Sequence, residues 1–180
     1  MPGPFPVPEA DDASTYFQTY IRLLGGENPL EADARIHAHT LSMLEPLSEE
    51  QSQFRYAPDK WSIREWLGHV IDCERVFNFR ALWIARGAEG ELPGFDQDAW
   101  VQIGRWHERS FRDSLDIYRD TRRTTRAWYL GRTPEELQRR GRANNNTLTV
   151  NSLLHILIGH ELHHQRVLEA RYLPALGSTR

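Results

Sequence analysis

The sequence has one cysteine, one lysine and no long hydrophobic run among its 180 residues. The lone Cys73 excludes an intramolecular disulfide and a cysteine-rich zinc site. No segment approaches the roughly 18 consecutive apolar residues of a membrane-spanning helix, and the N-terminus lacks the basic and apolar regions of a signal peptide. The net charge of −3 includes no basic stripe, which argues against a nucleic-acid partner. We therefore expect a cytoplasmic protein that binds neither membrane nor nucleic acid.

The length of the chain suits one domain with a hydrophobic core. Hydrophobic residues make up 39% of the sequence, so we do not expect disorder in most of it. Prolines alternate with other residues at the N-terminus, at Pro2, Pro4, Pro6 and Pro8. The composition predicts a flexible proline-rich arm over residues 1–10 and a single domain over residues 11–180.

Helical patterns dominate the domain, because β-branched residues never sustain the alternation of a strand. Ser62 and Glu65 form a capping box at the start of one helix, and Thr147 or Thr149 caps the last one. The polar stretch 139–147 is expected to be irregular. The predicted helices span about 13–24, 30–44, 61–87, 104–130 and 150–173. This pattern predicts an all-α bundle with long connections, a fold that commonly holds metal sites between facing helices.

The last predicted helix contains the sequence HELHH, a match to the motif HExxH. His160 and His164 lie one helical turn apart on the same face, as two ligands of one metal ion must. In zinc proteases with this motif the glutamate, here Glu161, acts as the general base on water. A third ligand normally follows downstream, but none of the sixteen residues after His164 is a histidine. The zinc-protease interpretation is therefore not favoured.

A third ligand must come from upstream, and His69 is the strongest candidate because it lies beside an apolar stripe in the middle of a helix. Three protein ligands leave a coordination position for water or substrate, as in catalytic sites. Glu169 and His155 point away from the pair on a continuous helix. His163 lies off the ligand face, near the rim of the site. The remaining histidines, His37, His39 and His107, are expected at the surface or in packing.

Three further side chains near these histidines have open roles. Glu161 is either a catalytic base or a solvent-facing acid, and it is retained as the candidate catalytic residue. Asp72, one turn beyond His69, either orients the site as a carboxylate partner or is a solvated acid. Cys73 is expected to be a small core residue rather than a nucleophile.

The combination of W61-S62-I63-R64-E65-W66-L67-G68-H69 with H155-I156-L157-I158-G159-H160-E161-L162-H163-H164-Q165 resembles the DinB-like superfamily. Within it, F95-D96-Q97-D98-A99-W100 is similar to the YfiT-type metal-dependent hydrolases. The resemblance covers most of the chain after about residue 30. It implies a four-helix bundle of up-down-down-up connectivity with long crossover loops. It also implies a divalent metal ion held by the residues that match, His69, His160 and His164.

Members of this superfamily include S-transferases and isomerases that use a low-molecular-weight thiol. The resemblance therefore implies a metal-dependent enzyme that activates a thiol cofactor or water for reaction with a small-molecule substrate. Zinc or nickel is the expected metal, and iron, manganese or copper could also bind. The alternative is a non-catalytic, metal-stabilised or ligand-binding bundle of the stress response. The aromatic-rich helices could cover a homodimer interface or the bundle core.

Overall fold

The computed structural model describes residues 5–177 and is mostly helical. Three short 3-10 turns, Ala10–Asp12, Gln51–Gln53 and Trp106–Glu108, lie between the longer elements. A π-helical segment, Leu168–Tyr172, joins the last two helices. The α-helices are α1 (Thr15–Leu23), α2 (Pro29–Leu44), α3 (Ile63–Ala85), α4 (Gln97–Gly104), α5 (Phe111–Leu130), α6 (Pro134–Gln138), α7 (Val150–Val167) and α8 (Leu173–Gly177).

Helices α2, α3, α5 and α7 form a four-helix bundle. Helices α3 and α5 run parallel, because the residue numbers of contacting pairs increase together along both helices. Glu74 contacts Arg122, and Asn78, further along α3, contacts Thr125, further along α5. Helix α7 runs antiparallel to α3 and parallel to α2, which gives the order up-down-down-up. The fold class predicted from the sequence is thereby confirmed. Helix α1 is an addition to the bundle and packs along α7.

Capping residues set the helix starts that the sequence predicts. The Ser62 hydroxyl and the Glu65 carboxylate bind each other's backbone N–H groups at the start of α3. Thr149, rather than Thr147, caps α7 in a reciprocal box with Ser152. Each box satisfies N–H groups that have no partner within the helix. These contacts fix the helices that carry the candidate metal ligands.

The predicted helix over 104–130 was wrong at its start. Helix α4 ends at Gly104, and Arg105 then adopts a left-handed conformation with φ 50°. Helix α5 begins only at Phe111, where the Ser110 hydroxyl accepts a hydrogen bond from the Asp113 backbone. The break leaves no gap in the spacing of apolar residues along the sequence, because Trp106 is buried in the short turn between the two helices.

A small sheet, which the sequence analysis did not predict, lies beside the bundle. It comprises β1 (Glu91–Leu92), β2 (Arg140–Ala143) and β3 (Asn146–Thr149), with β2 paired parallel to β1 and antiparallel to β3. The β2–β3 hairpin turns at Asn144 and Asn145, both at positive φ. Two such residues are typical of a type I′ turn, and asparagine tolerates this conformation. The expectation of an irregular stretch at 139–147 is thus wrong.

The part of the N-terminal arm that the structure describes packs onto the domain. Phe5 is buried, and the carbonyl of Pro6 accepts a hydrogen bond of 2.7 Å from Asn151 on α7. Residues 1–4 lie outside the described residues, so flexibility of the arm stays a prediction. Within residues 5–177, no helix is both long and apolar enough to cross a bilayer.

Candidate metal centre

Helices α3 and α7 bring His69, His160 and His164 together in the bundle. The Nε2 atom of His69 lies 3.3 Å from Nε2 of His160 and 3.2 Å from Nε2 of His164. His69 and His160 are buried, and His164 is half-buried. These residues form the only group of three or more potential metal ligands in the described part of the chain. The arrangement unites two residues one turn apart with a third that is distant in sequence.

The spacing of the three nitrogens fits a divalent metal ion. Zinc binds imidazole nitrogen at about 2.0–2.1 Å in tetrahedral geometry, which places neighbouring nitrogens about 3.3 Å apart. Burial lowers the pKa of His69 to about 4, and it lowers the pKa values of His160 and His164 well below the usual range. The rings are therefore neutral near pH 7, the form that ligates metals. The donor set thus suits a metal with at least one further coordination position.

Aromatic side chains hold the ligand rings in place. The indole ring of Trp61 lies 4.6 Å from the ring of His69. The ring of Trp66 meets the ring of His164 edge-on at 6.4 Å, and the indole N–H donates to the His164 backbone carbonyl at 3.1 Å. The ring of Tyr20, on α1, meets the ring of His160 edge-on at 5.4 Å. Each contact restricts the orientation of one ligand, which lowers the entropy cost of forming the site.

Gly159 allows α1 to approach α7 directly beside His160. A Cβ atom at this position would lie 2.1 Å from the backbone carbonyl oxygen of Tyr20. Backbone cannot yield as a flexible side chain can, so this contact requires glycine. The close approach is what brings the Tyr20 ring to His160.

Glu161 points away from the metal ligands into the bundle. Its carboxylate accepts hydrogen bonds from Arg122, from the hydroxyl of Tyr118 and, at 3.0 Å, from Thr40. Glu161 is only 1% exposed, so the solvent-facing alternative is wrong. Both carboxylate oxygens are engaged by α2 and α5, and a catalytic role for Glu161 stays a prediction that these contacts do not favour.

Arg122 lies at the centre of a buried charge cluster behind the metal centre. Its guanidinium pairs with Glu161, Glu74 and Asp33, and the cluster joins all four helices of the bundle. Burial acts to lower the pKa of Arg122, but the three carboxylates outweigh it and raise the pKa above its usual value. The cluster therefore fixes the helix register from which His160 projects.

Asp72 and Cys73 both lie one helical turn from His69 on α3. Asp72 does not orient His69, and Cys73 is not placed as a nucleophile. The Asp72 carboxylate accepts a hydrogen bond of 2.9 Å from Trp106 and has no bond to His69. Asp72 is thus neither a site-orienting carboxylate nor a freely solvated acid. The Cys73 sulfur lies 3.6 Å from Nε2 of His69, and burial raises the pKa of its thiol to about 12. A protonated, buried thiol fits the expected packing role.

The other histidines lie apart from the three Nε2 atoms. His155 is buried, and its Nδ1 is bonded to the Asn151 carbonyl at 3.0 Å. His163 is exposed at the rim and contacts the Tyr20 ring. Glu169 pairs with His39 at 2.6 Å. His37 packs against Tyr118, and His107 is partly exposed near Glu65.

Two cavities flank the three histidines. One, of about 150 Å³, is bounded by His160 and Cys73. The other, of about 230 Å³, is bounded by His164 and Trp61. Gln97, at the start of α4, lines both. The candidate ligands can therefore be reached by small molecules from either side.

A family model for the DinB superfamily matches residues 33–168, which is most of the chain and includes all three histidines. The chain belongs to the DinB superfamily. A solved structure of similar fold is YfiT from Bacillus subtilis, described as a probable metal-dependent hydrolase with an unusual four-helix bundle topology. The two share 16% sequence identity at a TM-score of 0.66, over 96% of this chain and 92% of YfiT. No curated protein matches the chain.

Two residues of this DinB superfamily chain that lie close to the candidate metal ligands, Arg122 and Tyr20, are not predicted from the sequence. Arg122 occupies a position of the apolar stripe of α5, between Tyr118 and Thr125. A charged residue on a buried face signals a buried partner, so its presence could have been inferred but its partners could not. The contact of Tyr20 with His160 depends on the packing of α1 and has no local signal.

Proposed function

We propose that this chain is a metal-dependent enzyme in which His69, His160 and His164 hold a divalent ion that activates a small nucleophile. The favoured nucleophile is a thiol. The observation that carries the proposal is a set of three neutral, inward-facing imidazoles, in which the Nε2 atoms of His160 and His164 lie 3.3 and 3.2 Å from that of His69. Zinc or nickel is the proposed metal, because imidazole suits both, and iron, manganese or copper are the other candidates.

The surroundings of the three histidines favour a thiol over water. At pH 7 a metal-bound thiol is fully ionised, whereas a metal-bound water with a pKa of about 7 is only about half ionised. The acid nearest in sequence, Glu161, is bound by Arg122 and Tyr118. No carboxylate joins the three histidines in the described part of the chain. The residues of this chain therefore hold and orient the nucleophile and supply little base catalysis.

Hydrolysis is the second candidate, and the likeness to YfiT supports it. That protein is described as a probable metal-dependent hydrolase, and it shares the bundle topology. Activation of water by a metal requires an open coordination position, which three protein ligands leave available. The same histidines would serve either reaction on a small-molecule substrate.

An assay with two arms tests the proposal. Metal-loaded protein is given 1-chloro-2,4-dinitrobenzene with a panel of low-molecular-weight thiols, and p-nitrophenyl acetate without thiol. We expect thiol-dependent turnover in the first arm that is lost in His160→Ala and kept in His163→Ala, since His163 lies outside the ligand set. Turnover confined to the ester arm would favour the hydrolase.

The non-catalytic alternative makes a different prediction in the same experiment. A metal-stabilised bundle would bind metal through the three histidines and lose thermal stability on chelation, yet show turnover in neither arm. We also propose that the chain could form a homodimer. Trp106 would not take part in the dimer interface, because it is only 3% exposed and belongs to the bundle core.

A further inference from the structure

The smaller cavity beside His160 has a buried cation in its wall. Arg80, on α3, is only 3% exposed and lines this cavity together with His160. No carboxylate lies within ion-pair distance of Arg80 anywhere in residues 5–177. Its side chain makes one hydrogen bond, of 2.9 Å, to the carbonyl of Pro93. A guanidinium has five N–H donors, so most of its donor capacity is unused.

The contrast with Arg122 shows how unusual this is for the protein. Arg122 is 1% exposed and is paired with three carboxylates. Burial lowers the pKa of Arg80, whereas the pKa of Arg122 is raised. An unpaired buried charge is costly to folding. A side chain that reduces stability in this way, at the edge of a candidate catalytic site, points to a ligand that supplies the missing charge.

The walls of the cavity define the rest of that ligand. The Arg80 guanidinium lies 6.0 Å from the ring centre of Phe77 and 5.9 Å from that of Phe95. Tyr16, Phe17 and Tyr20 complete an aromatic lining. At about 150 Å³, the cavity has the size of an engineered apolar cavity that binds benzene. A small, flat organic molecule would fit it.

The arrangement along α3 gives this cavity two distinct ends. His69, Cys73, Phe77 and Arg80 follow one another at spacings of four, four and three residues, so they share one face of the helix. Cys73 and Arg80 are thus about 10 Å apart along the helix axis. The cavity runs from the metal-ligand end to the cationic end.

We propose that Arg80 is the anion-binding residue of this cavity and that the substrate is a small organic carboxylate. Resting on the proposed function, this assigns a substrate class to the same site. The Arg80 fork binds the carboxylate, and the aromatic walls enclose the body of the molecule. The opposite end of the substrate then faces the nucleophile beside His160.

An NMR titration of the whole protein tests this proposal without relying on activity. Benzoate is the probe, benzamide is its neutral counterpart of the same shape, and phenyl phosphate represents the other class of oxyanion. Each is titrated into metal-free and metal-loaded protein. We expect benzoate to bind both forms, and at least about tenfold more tightly than benzamide, because a charged hydrogen bond contributes roughly that much.

Three variants separate anion binding from general packing. Arg80→Met should weaken benzoate binding at least about tenfold and leave benzamide binding unchanged. Arg80→Lys keeps the charge without the planar fork and should give an intermediate loss; it serves also if the methionine variant folds poorly. Arg75→Met is the control, because Arg75 is exposed and pairs with Asp72.

Two results would overturn the proposal. Benzoate binding that is equal in the wild type and in both Arg80 variants would remove Arg80 as the anion site. Tighter binding of phenyl phosphate than of benzoate, with the same dependence on Arg80, would assign the site to phosphate esters instead. The metal content of the loaded protein is measured in parallel, so failure of the three-histidine site would show separately as absent metal with benzoate binding retained.

Discussion

Replacing Glu161 with glutamine distinguishes a structural glutamate from a catalytic base. Its carboxylate accepts hydrogen bonds from Tyr118, Thr40 and Arg122 in the bundle interior. Glutamine retains an acceptor for the two hydroxyl groups but places an uncharged amide against the guanidinium. Breaking a buried ion pair costs about 3–5 kcal/mol when the remaining charge has no other partner. Arg122 keeps Asp33 and Glu74, so we expect a smaller loss of unfolding free energy, about 2 kcal/mol.

That loss corresponds to a decrease in melting temperature of about 4–8 °C for a domain of this size. Urea unfolding and metal analysis of purified Glu161→Gln measure it, and Glu169→Gln is the control. Glu169 lies nearby on an exposed surface and pairs with His39, so its replacement should change stability by less than about 0.5 kcal/mol. Metal content should be unchanged in both variants.

The opposite pattern would refute the structural account of Glu161. If it is the general base, Glu161→Gln should leave stability near that of the wild type. Turnover per bound metal ion should then fall by about 10²–10⁴-fold, the usual contribution of a general base. A structural Glu161 leaves turnover per folded, metal-loaded molecule within a few-fold of the wild type.

Substitutions at three further positions test separate parts of the structure. Gly159→Ala should lower stability by at least about 2 kcal/mol in thermal unfolding, because its Cβ would meet the Tyr20 backbone; unchanged stability would contradict the close approach of α1. Burial lowers the pKa of His155, so the unfolded chain binds this proton first and stability falls as the pH drops below about 6.5. His155→Leu should make that fall shallower, and an identical pH profile would refute this assignment. Asn145→Gly should be tolerated and Asn145→Val destabilising, because the turn requires positive φ; equal melting temperatures would rule out the turn.

The sequence predicts those parts of the protein that depend on neighbouring residues. The capping box of Ser62 and Glu65 and the one-turn spacing of His160 and His164 are local, and the structure shows both geometries. His69 could be nominated because a polar residue beside an apolar stripe needs a partner. Its distance to the pair could come only from the packing of α3 on α7.

Other features depend on tertiary contacts and were missed for that reason. The strands β1 to β3 are two to four residues long, too short for an alternating pattern to stand out. The partners of Arg122 lie on α2, α3 and α7, between 39 and 89 residues away in sequence. The sequence indicates such contacts only indirectly, through a charged residue on a helix face that is otherwise apolar.

Metal analysis of the purified protein tests the central claim most directly. After incubation with zinc and removal of free metal, we expect one equivalent per wild-type chain. Loss of an outer hydrogen-bond partner lowers the metal affinity of a site about 10–100-fold, and loss of a ligand should lower it at least as far. The metal content of His69→Ala and of His160→Ala should therefore fall below that of the wild type. His163→Ala should keep one equivalent of metal. A wild-type chain without bound metal, or wild-type metal content in both His69→Ala and His160→Ala, would contradict the three-histidine centre.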